Sequence, residues 1–103
     1  MTAARGDLWL VDLGMVAKIR PGLVMSVQPG DQDRQLATLV PHTTSVQGTR
    51  FEIVIPKSFL RSGAFDAQGL ATVGPTRFIP KLGTLQPQEF ALAEEAVKDW
   101  LGL

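Results

Sequence analysis

Two short polar clusters in this chain carry residue types able to handle a phosphodiester. The first is Lys18-Ile19-Arg20-Pro21. An arginine before proline is held extended, and its planar fork of donors suits a phosphate group. The second is Pro41-His42-Thr43-Thr44-Ser45, with three hydroxyls in sequence. Hydroxyl donors and a guanidinium grouped around one phosphate would stabilise the charge that builds on it during transesterification. Each cluster also has a structural reading. An Arg-Pro step can simply begin a strand, Thr-Thr-Ser can be a turn, and a lone histidine such as His42 can belong to a core. Residue types alone leave both readings open.

Other chemistries drop out at once. The chain has no glycine-rich phosphate loop, no His-Glu-x-x-His and no Gly-x-Ser-x-Gly elbow. His42 is the only histidine and there is no cysteine. One chain therefore cannot build a thiolate or multi-histidine metal site, a disulfide, or a two-histidine acid–base pair. Asp31 and Asp33 resemble a fragment of a calcium loop but lack the remaining ligands, and read as turn residues. Formal net charge is zero, yet its distribution is uneven. Arg50, Lys57, Arg61, Arg77 and Lys81 outweigh Glu52 and Asp66 in the centre, while Glu89, Glu94, Glu95 and Asp99 outweigh Lys98 at the end. A basic centre permits a local phosphate-binding face; an ordinary solvated surface explains the charges equally well.

The elements that must position these clusters are mostly strands. Leu8–Leu13 is nearly all apolar, as a strand buried on both sides would be. Strands are also expected over Gly22–Val27, over Leu36–Val40 with Pro41 as its stop, and over Arg50–Ile55, where Phe51, Ile53 and Ile55 share a face. A shorter one covers Leu70–Val73, and Arg77–Ile79 adds a sixth. Pro56–Arg61 reads as a short helical turn opened by proline. The last segment is a helix opened by Pro87, with Glu89 in its first turn and Gly102 at its end. Phe90, Ala93, Val97, Trp100 and Leu101 make its apolar face. Short strands closed by one helix predict a mainly β (α+β) fold, a small bent sheet or barrel.

At 103 residues, 45% of them hydrophobic, the chain is expected to form one domain over 1–103. It shows no signal-peptide pattern and no apolar run near the roughly 20 residues that span a bilayer. A cytoplasmic location with no membrane contact is the expectation.

Taken together, four segments resemble the MazF/PemK (Kid) toxins of type II toxin–antitoxin systems. Arg5-Gly6-Asp7-Leu8-Trp9 is similar to the family's opening, and Arg20-Pro21-Gly22-Leu23-Val24 to its Arg-Pro-x-(Leu/Val)-Val strand. Leu39-Val40-Pro41-His42-Thr43 is similar to its Val-Pro-x-Thr strand, and Leu82-Gly83-Thr84-Leu85 before a final helix to its close. The resemblance implies an SH3-like β-barrel of the CcdB/MazF kind with a C-terminal helix, forming a homodimer. It implies an endoribonuclease that cuts single-stranded RNA, often mRNA, to a 2′,3′-cyclic phosphate and a 5′-hydroxyl, with no metal or other cofactor. Arg20 takes the catalytic arginine position, as proton-transfer group and phosphate stabiliser, and Thr43 the catalytic threonine position. Lys18, Thr44, Ser45, Arg50 and Arg77 are the expected RNA-binding residues. The implied partner is an antitoxin with an acidic disordered tail.

Two departures bear on binding. Met15, Val16 and Ala17 are apolar where members of the family often carry a glycine and a glutamate. Gly69-Leu70-Ala71-Thr72 stands where many read Gln-x-Arg-Thr, so Arg77 or Arg50 would have to supply the missing cation, with Gln68 retained if the alignment slips by one. A CcdB-like gyrase poison, suggested faintly by Trp100 and Gly102, and a non-catalytic binding module are the alternatives on the same fold.

Overall fold

A computed structural model describes residues 3–14 and 18–103. The expectation for Met15, Val16 and Ala17 lies outside the described residues. Among the described residues there are seven strands: β1 (Asp7–Asp12), β2 (Ile19–Val24), β3 (Ala37–Thr43), β4 (Glu52–Ile53), β5 (Ala64–Asp66), β6 (Ala71–Val73) and β7 (Phe78–Thr84). One helix, α1 (Pro87–Leu101), closes the chain. All pairings are antiparallel, in the order β4-β5-β3-β2-β1-β7, with β6 alongside β3.

The mainly β class with a C-terminal helix is as expected, but the sheet is not a closed barrel. Its path ends at β4 on one side and β7 on the other, and these two strands do not pair. β3 is the hub. It meets β2 over Leu39–Pro41, β6 over Ala37–Leu39 and β5 over His42–Thr43. Pro41, read from sequence as a stop, instead lies inside the strand. It has no amide to donate, and it sits where β3 exchanges one set of partners for another.

Other boundaries also moved. β2 begins at Ile19, three residues before the expected start, so Arg20 and Pro21 are strand residues opposite Val11 and Leu10. It ends at Val24 because Met25 and Ser26 both turn their amides onto the Thr38 carbonyl, at 2.9 and 3.3 Å. The expected strand over 50–55 is paired only at Glu52–Ile53, although Phe51 and Ile55 point inward as its alternation required. Pro56–Arg61 is not helical; a single Leu60 amide to Lys57 carbonyl bond (3.0 Å) makes it a turn. β5 was not anticipated, and β7 runs to Thr84 rather than ending at Ile79.

The main core gathers Leu8, Leu23, Val40, Ile55, Phe65 and Leu85 under Ala93 of α1. Burial of these side chains, at ~25 cal/mol per Å² of apolar surface, is the chief force holding helix to sheet. On the opposite face Val11 and Leu39 close over Gly22, where an added Cβ would lie 3.2 and 3.0 Å from their methyls. β1 is therefore buried on both faces, at Leu8 toward the helix and at Val11, three residues on, toward Leu39. Trp9 and Leu10 are only half-buried, not sealed on both sides as expected.

Helix α1 has the predicted Pro87 start and a left-handed Gly102 cap (φ 73°). Gln86 and Glu89 add a reciprocal capping pair, with the Gln86 amide 2.9 Å from Glu89 Oε1. Its buried residues are Ala93 and Ala96, flanked by Phe90 and Val97. Leu101 is 51% exposed, contrary to expectation, and Trp100 is 44% exposed with its edge on Phe51, ring centres 5.2 Å apart.

Candidate active site

Arg20 projects from the start of β2, half-buried, at the boundary of two clefts. The first, about 540 Å³, is lined by Asp12, Arg20, Pro41, Thr72 and Arg77, with bare backbone at Gly69 and Gly74. Gly69 is needed there, since a Cβ would stand 2.8 Å from the Pro41 ring. Arg77 Nη1 lies 3.8 Å from Asp12 Oδ1, an exposed pair worth little to stability. The second cleft, about 470 Å³, is lined by Ile19, Arg20, His42, Thr44, Phe59 and Arg61, with Leu10, Pro21 and Leu82 beneath.

Thr43 ends β3 and is half-buried in neither cleft. It lines a separate polar depression of about 210 Å³ with Ser45, Gln47, Thr49, Glu52, Asp66 and Gln68. The β2–β3 pairing ends at Gly22–Pro41, two residues short of Arg20 and Thr43, and Thr43 pairs with Ala64 of β5. Arg20 and Thr43 lie on adjacent strands but are not gathered into one cavity.

The hydrogen bonding around Thr43 is specific. The Ser45 amide donates to Thr43 Oγ1 at 3.0 Å, which leaves the hydroxyl's own proton to be given elsewhere. The amides of Gln47 and Thr49 donate to the Glu52 carboxylate at 2.9 and 2.6 Å. Those amide bonds, Gln47 first, hold Glu52 below the usual carboxylate range, so it stays ionised. The Ser45, Gln47 and Thr49 amides of this loop are thus engaged within it.

His42, one residue earlier, is buried with its ring edge on Phe65, centres 5.1 Å apart. Burial pushes its imidazole below the ordinary histidine value. Gly63 passes so close that a Cβ there would lie 2.8 Å from His42 Cε1 and 2.1 Å from the Thr43 carbonyl oxygen. His42 is not remote from Arg20, however, because it also lines the second cleft.

The other expected binding residues divide. Arg77 shares the first cleft with Arg20, Thr44 shares the second, and Ser45 stays with Thr43. Lys18 is exposed at a positive φ of 59° before β2 and lines none of these cavities. Arg50 lies over the ring of Phe51, 4.6 Å from its centre, beside the end of α1. Of the two cations that could replace a missing one, the fold brings Arg77 and not Arg50 to Arg20. Sequence reasoning passed over Arg61, Thr72 and Asp12 as site residues. Only the excess of positive charge in the central segment hinted at Arg61.

Residues 4–101 match the profile of the PemK-like, MazF-like toxins of type II toxin–antitoxin systems. The chain belongs to that family. Among solved structures, it is similar to a mycobacterial endoribonuclease in complex with its cognate antitoxin, at 24% identity and TM-score 0.79, covering 100% of this chain and 97% of that one. A MazE–MazF complex from Deinococcus radiodurans gives 22% identity and TM-score 0.82, covering 100% and 98%. A MazF toxin of Mycobacterium tuberculosis gives 19% and 0.78, covering 94% and 97%. At these identities the likeness establishes a MazF-like fold. The gyrase-poison alternative gains nothing from these comparisons or from Trp100, which is engaged with Phe51. No described helix is long and apolar enough to cross a membrane.

Proposed function

We propose that this MazF-like toxin is an endoribonuclease that cleaves single-stranded RNA across the face carrying Arg20. The observation that carries this reading is Arg20 itself. It stands on a rigid central strand between two open clefts, with Arg77 in one and Arg61 in the other. A strand of RNA crossing that ridge would bring successive phosphates to cations and one phosphate to Arg20.

In the proposed reaction Arg20 mediates proton transfer: the 2′-hydroxyl gives up its proton as its oxygen attacks phosphorus, the P–O5′ bond breaks, and the departing 5′-oxygen takes up a proton. The products are a 2′,3′-cyclic phosphate and a 5′-hydroxyl. Arg20 meets the growing negative charge with two donors, and the Thr43 hydroxyl supplies a third from the neighbouring strand. This chemistry, like that of the family the chain resembles, calls on no metal. Mixed-sequence single-stranded RNA should be cut in EDTA to products ending in a cyclic phosphate. Dependence on an added divalent ion, or a 3′-hydroxyl product, would overturn the mechanism.

One observation favours a second route for the proton. A protonated guanidinium is a poor base at neutral pH, whereas His42 is held neutral by burial and borders the cleft shared with Arg20. Under that reading His42 accepts the 2′-hydroxyl proton. His42→Gln would then remove the acidic limb of the pH–rate profile; under the arginine reading the limb stays and only stability changes.

The mycobacterial and Deinococcus relatives are seen with antitoxins. An acidic antitoxin segment is proposed to lie over the same arginines and exclude RNA. A homodimer is proposed as well, since the open sheet leaves strand edges to cover. Sedimentation should give twice the chain mass, and peptide and RNA should not bind together.

A further inference from the structure

The second cleft contains a feature that the cleavage chemistry does not use. Phe59 is 41% exposed at its mouth, yet its ring is not loose. The ring tip leans on the bare backbone of Gly83 in β7, where an added Cβ would lie 2.9 Å from Phe59 Cζ. The turn that carries Phe59 is fixed at its base by the Leu60 amide to Lys57 carbonyl bond. Lys57 in turn pairs with Glu89 of α1 at 2.6 Å. An aromatic ring is thus presented to solvent on a braced support. Arg61 lies two residues on, lining the same cleft, and no carboxylate lines that cleft. Among the described residues no carboxylate is within ion-pair distance of Arg61.

A single exposed aromatic is common and needs no explanation. Here three properties coincide: a flat apolar platform, a guanidinium beside it, and a second guanidinium, Arg20, across the cleft. A ligand matching all three must alternate flat unsaturated rings with negative charges. We propose that Phe59 and Arg61 form a nucleotide subsite next to the scissile phosphate, the base stacking on Phe59 and its phosphate meeting Arg61. This inference rests on the nuclease reading above and adds two positioning residues to it.

Binding and turnover test it together. A mixed-sequence RNA fully 2′-O-methylated cannot cleave itself and reports affinity; the unmodified RNA reports KM and kcat. Stacking of one base corresponds to a loss of roughly 5- to 150-fold when the ring is removed. Phe59→Leu should lose affinity in that range and raise KM more than it lowers kcat, while Phe59→Trp keeps both. Arg61→Ala should lower the slope of log affinity against log salt by about 0.7, the single-strand value for one phosphate contact. If Phe59→Leu fails to fold, the Arg61 variants carry the test alone. Unchanged affinity in Phe59→Leu, or an unchanged salt slope in Arg61→Ala, overturns the subsite while wild-type cleavage still stands. A wild-type protein that neither binds nor cuts RNA refutes the nuclease reading itself. A Phe59→Leu protein that changes sedimenting mass instead of affinity assigns this face to a second copy, and the subsite falls.

Discussion

Two regions of the molecule place an arginine and polar partners close together, and they treat those charges in opposite ways. At the Asp7 corner every group is answered internally. Asp7 accepts from the Ala4 amide at 2.9 Å and the Thr84 hydroxyl at 3.1 Å, and pairs with Lys81 at 3.3 Å. Arg5 bonds Glu94 and lies 4.6 Å from the centre of the Phe90 ring. Gly6, at a φ of 94°, donates to Val24 and accepts from Leu85. At the Arg20 ridge the cations line open clefts, with Arg77 3.8 Å from Asp12. Both regions carry the segments by which the chain resembles its family, yet one is architecture and the other is a candidate site. What separates them is whether the charged groups line an open cleft, which sequence motifs do not record.

The contrast can be broken by exchanging which property each region controls. The largest effect is expected at Arg20. Arg20→Ala and Arg20→Lys should each reduce cleavage by about 10²–10³-fold, the cost of losing a preorganised donor, with little change in the denaturant midpoint. Asp7→Ala should do the reverse. It removes charge-assisted bonds from a buried position and should cost about 2–3 kcal/mol of stability, while cleavage per folded molecule is kept. If Asp7→Ala abolished cleavage at full stability, the division drawn here would fail.

Gly63→Ala joins the two properties, because the new methyl meets the Thr43 carbonyl and the His42 ring together. Overpacking of this kind costs ~1–3 kcal/mol, and Thr43 should be displaced with it. Both the midpoint and the cleavage rate should fall, and a neutral outcome would show that the loop yields.

Acid should separate the regions next. Burial opposes charge on Asp7, but the Ala4, Thr84 and Lys81 bonds outweigh it and hold the carboxyl below its ordinary value. Its contribution is present above the unfolded pKa and disappears as pH falls through the lower folded value, below the usual carboxylate range. His42 acts earlier. Its folded pKa is depressed, so the unfolded chain takes up a proton first and stability falls as pH drops through the ordinary histidine range near ~6.5. Stability titrations of Asp7→Asn and His42→Gln should each flatten one of the two slopes. The smallest effect is expected from Lys18→Ala and Arg50→Ala, which line no cleft with Arg20; each should change RNA affinity less than Arg77→Ala does in the same salt titration.

Much of this was legible in the sequence where one residue's chemistry dictates one structure. Pro87, Glu89 and Gly102 set out α1, and alternation at Phe51, Ile53 and Ile55 gave the correct inward face even where little strand forms. Arg20 and Thr43 were legible as types and through resemblance. Their separation into different cavities was not, because it depends on β3 changing partners at Pro41. Closure of the sheet was misjudged for a similar reason: local periodicity says which residues turn inward but not whether the first and last strands meet. β5 escaped notice because Ala64–Asp66 is too short to show a period.

The Asp7–Thr84 bond joins residues 77 positions apart, and β1 has β7 as one of its two neighbours. Such a sheet has high contact order, and long loops must close before those pairings repay the lost entropy. The β1–β2–β3 meander is nearly local and can assemble early, carrying Arg20 and Thr43 with it. Its outer edge stays unfinished until the last quarter of the chain supplies β7 and α1. A chain ended before residue 78 would therefore contain both polar clusters and most of the apolar core residues, yet it would lack the strand and helix that anchor β1. Synthesis order alone would then keep an incomplete copy from presenting its arginine ridge in a fixed form.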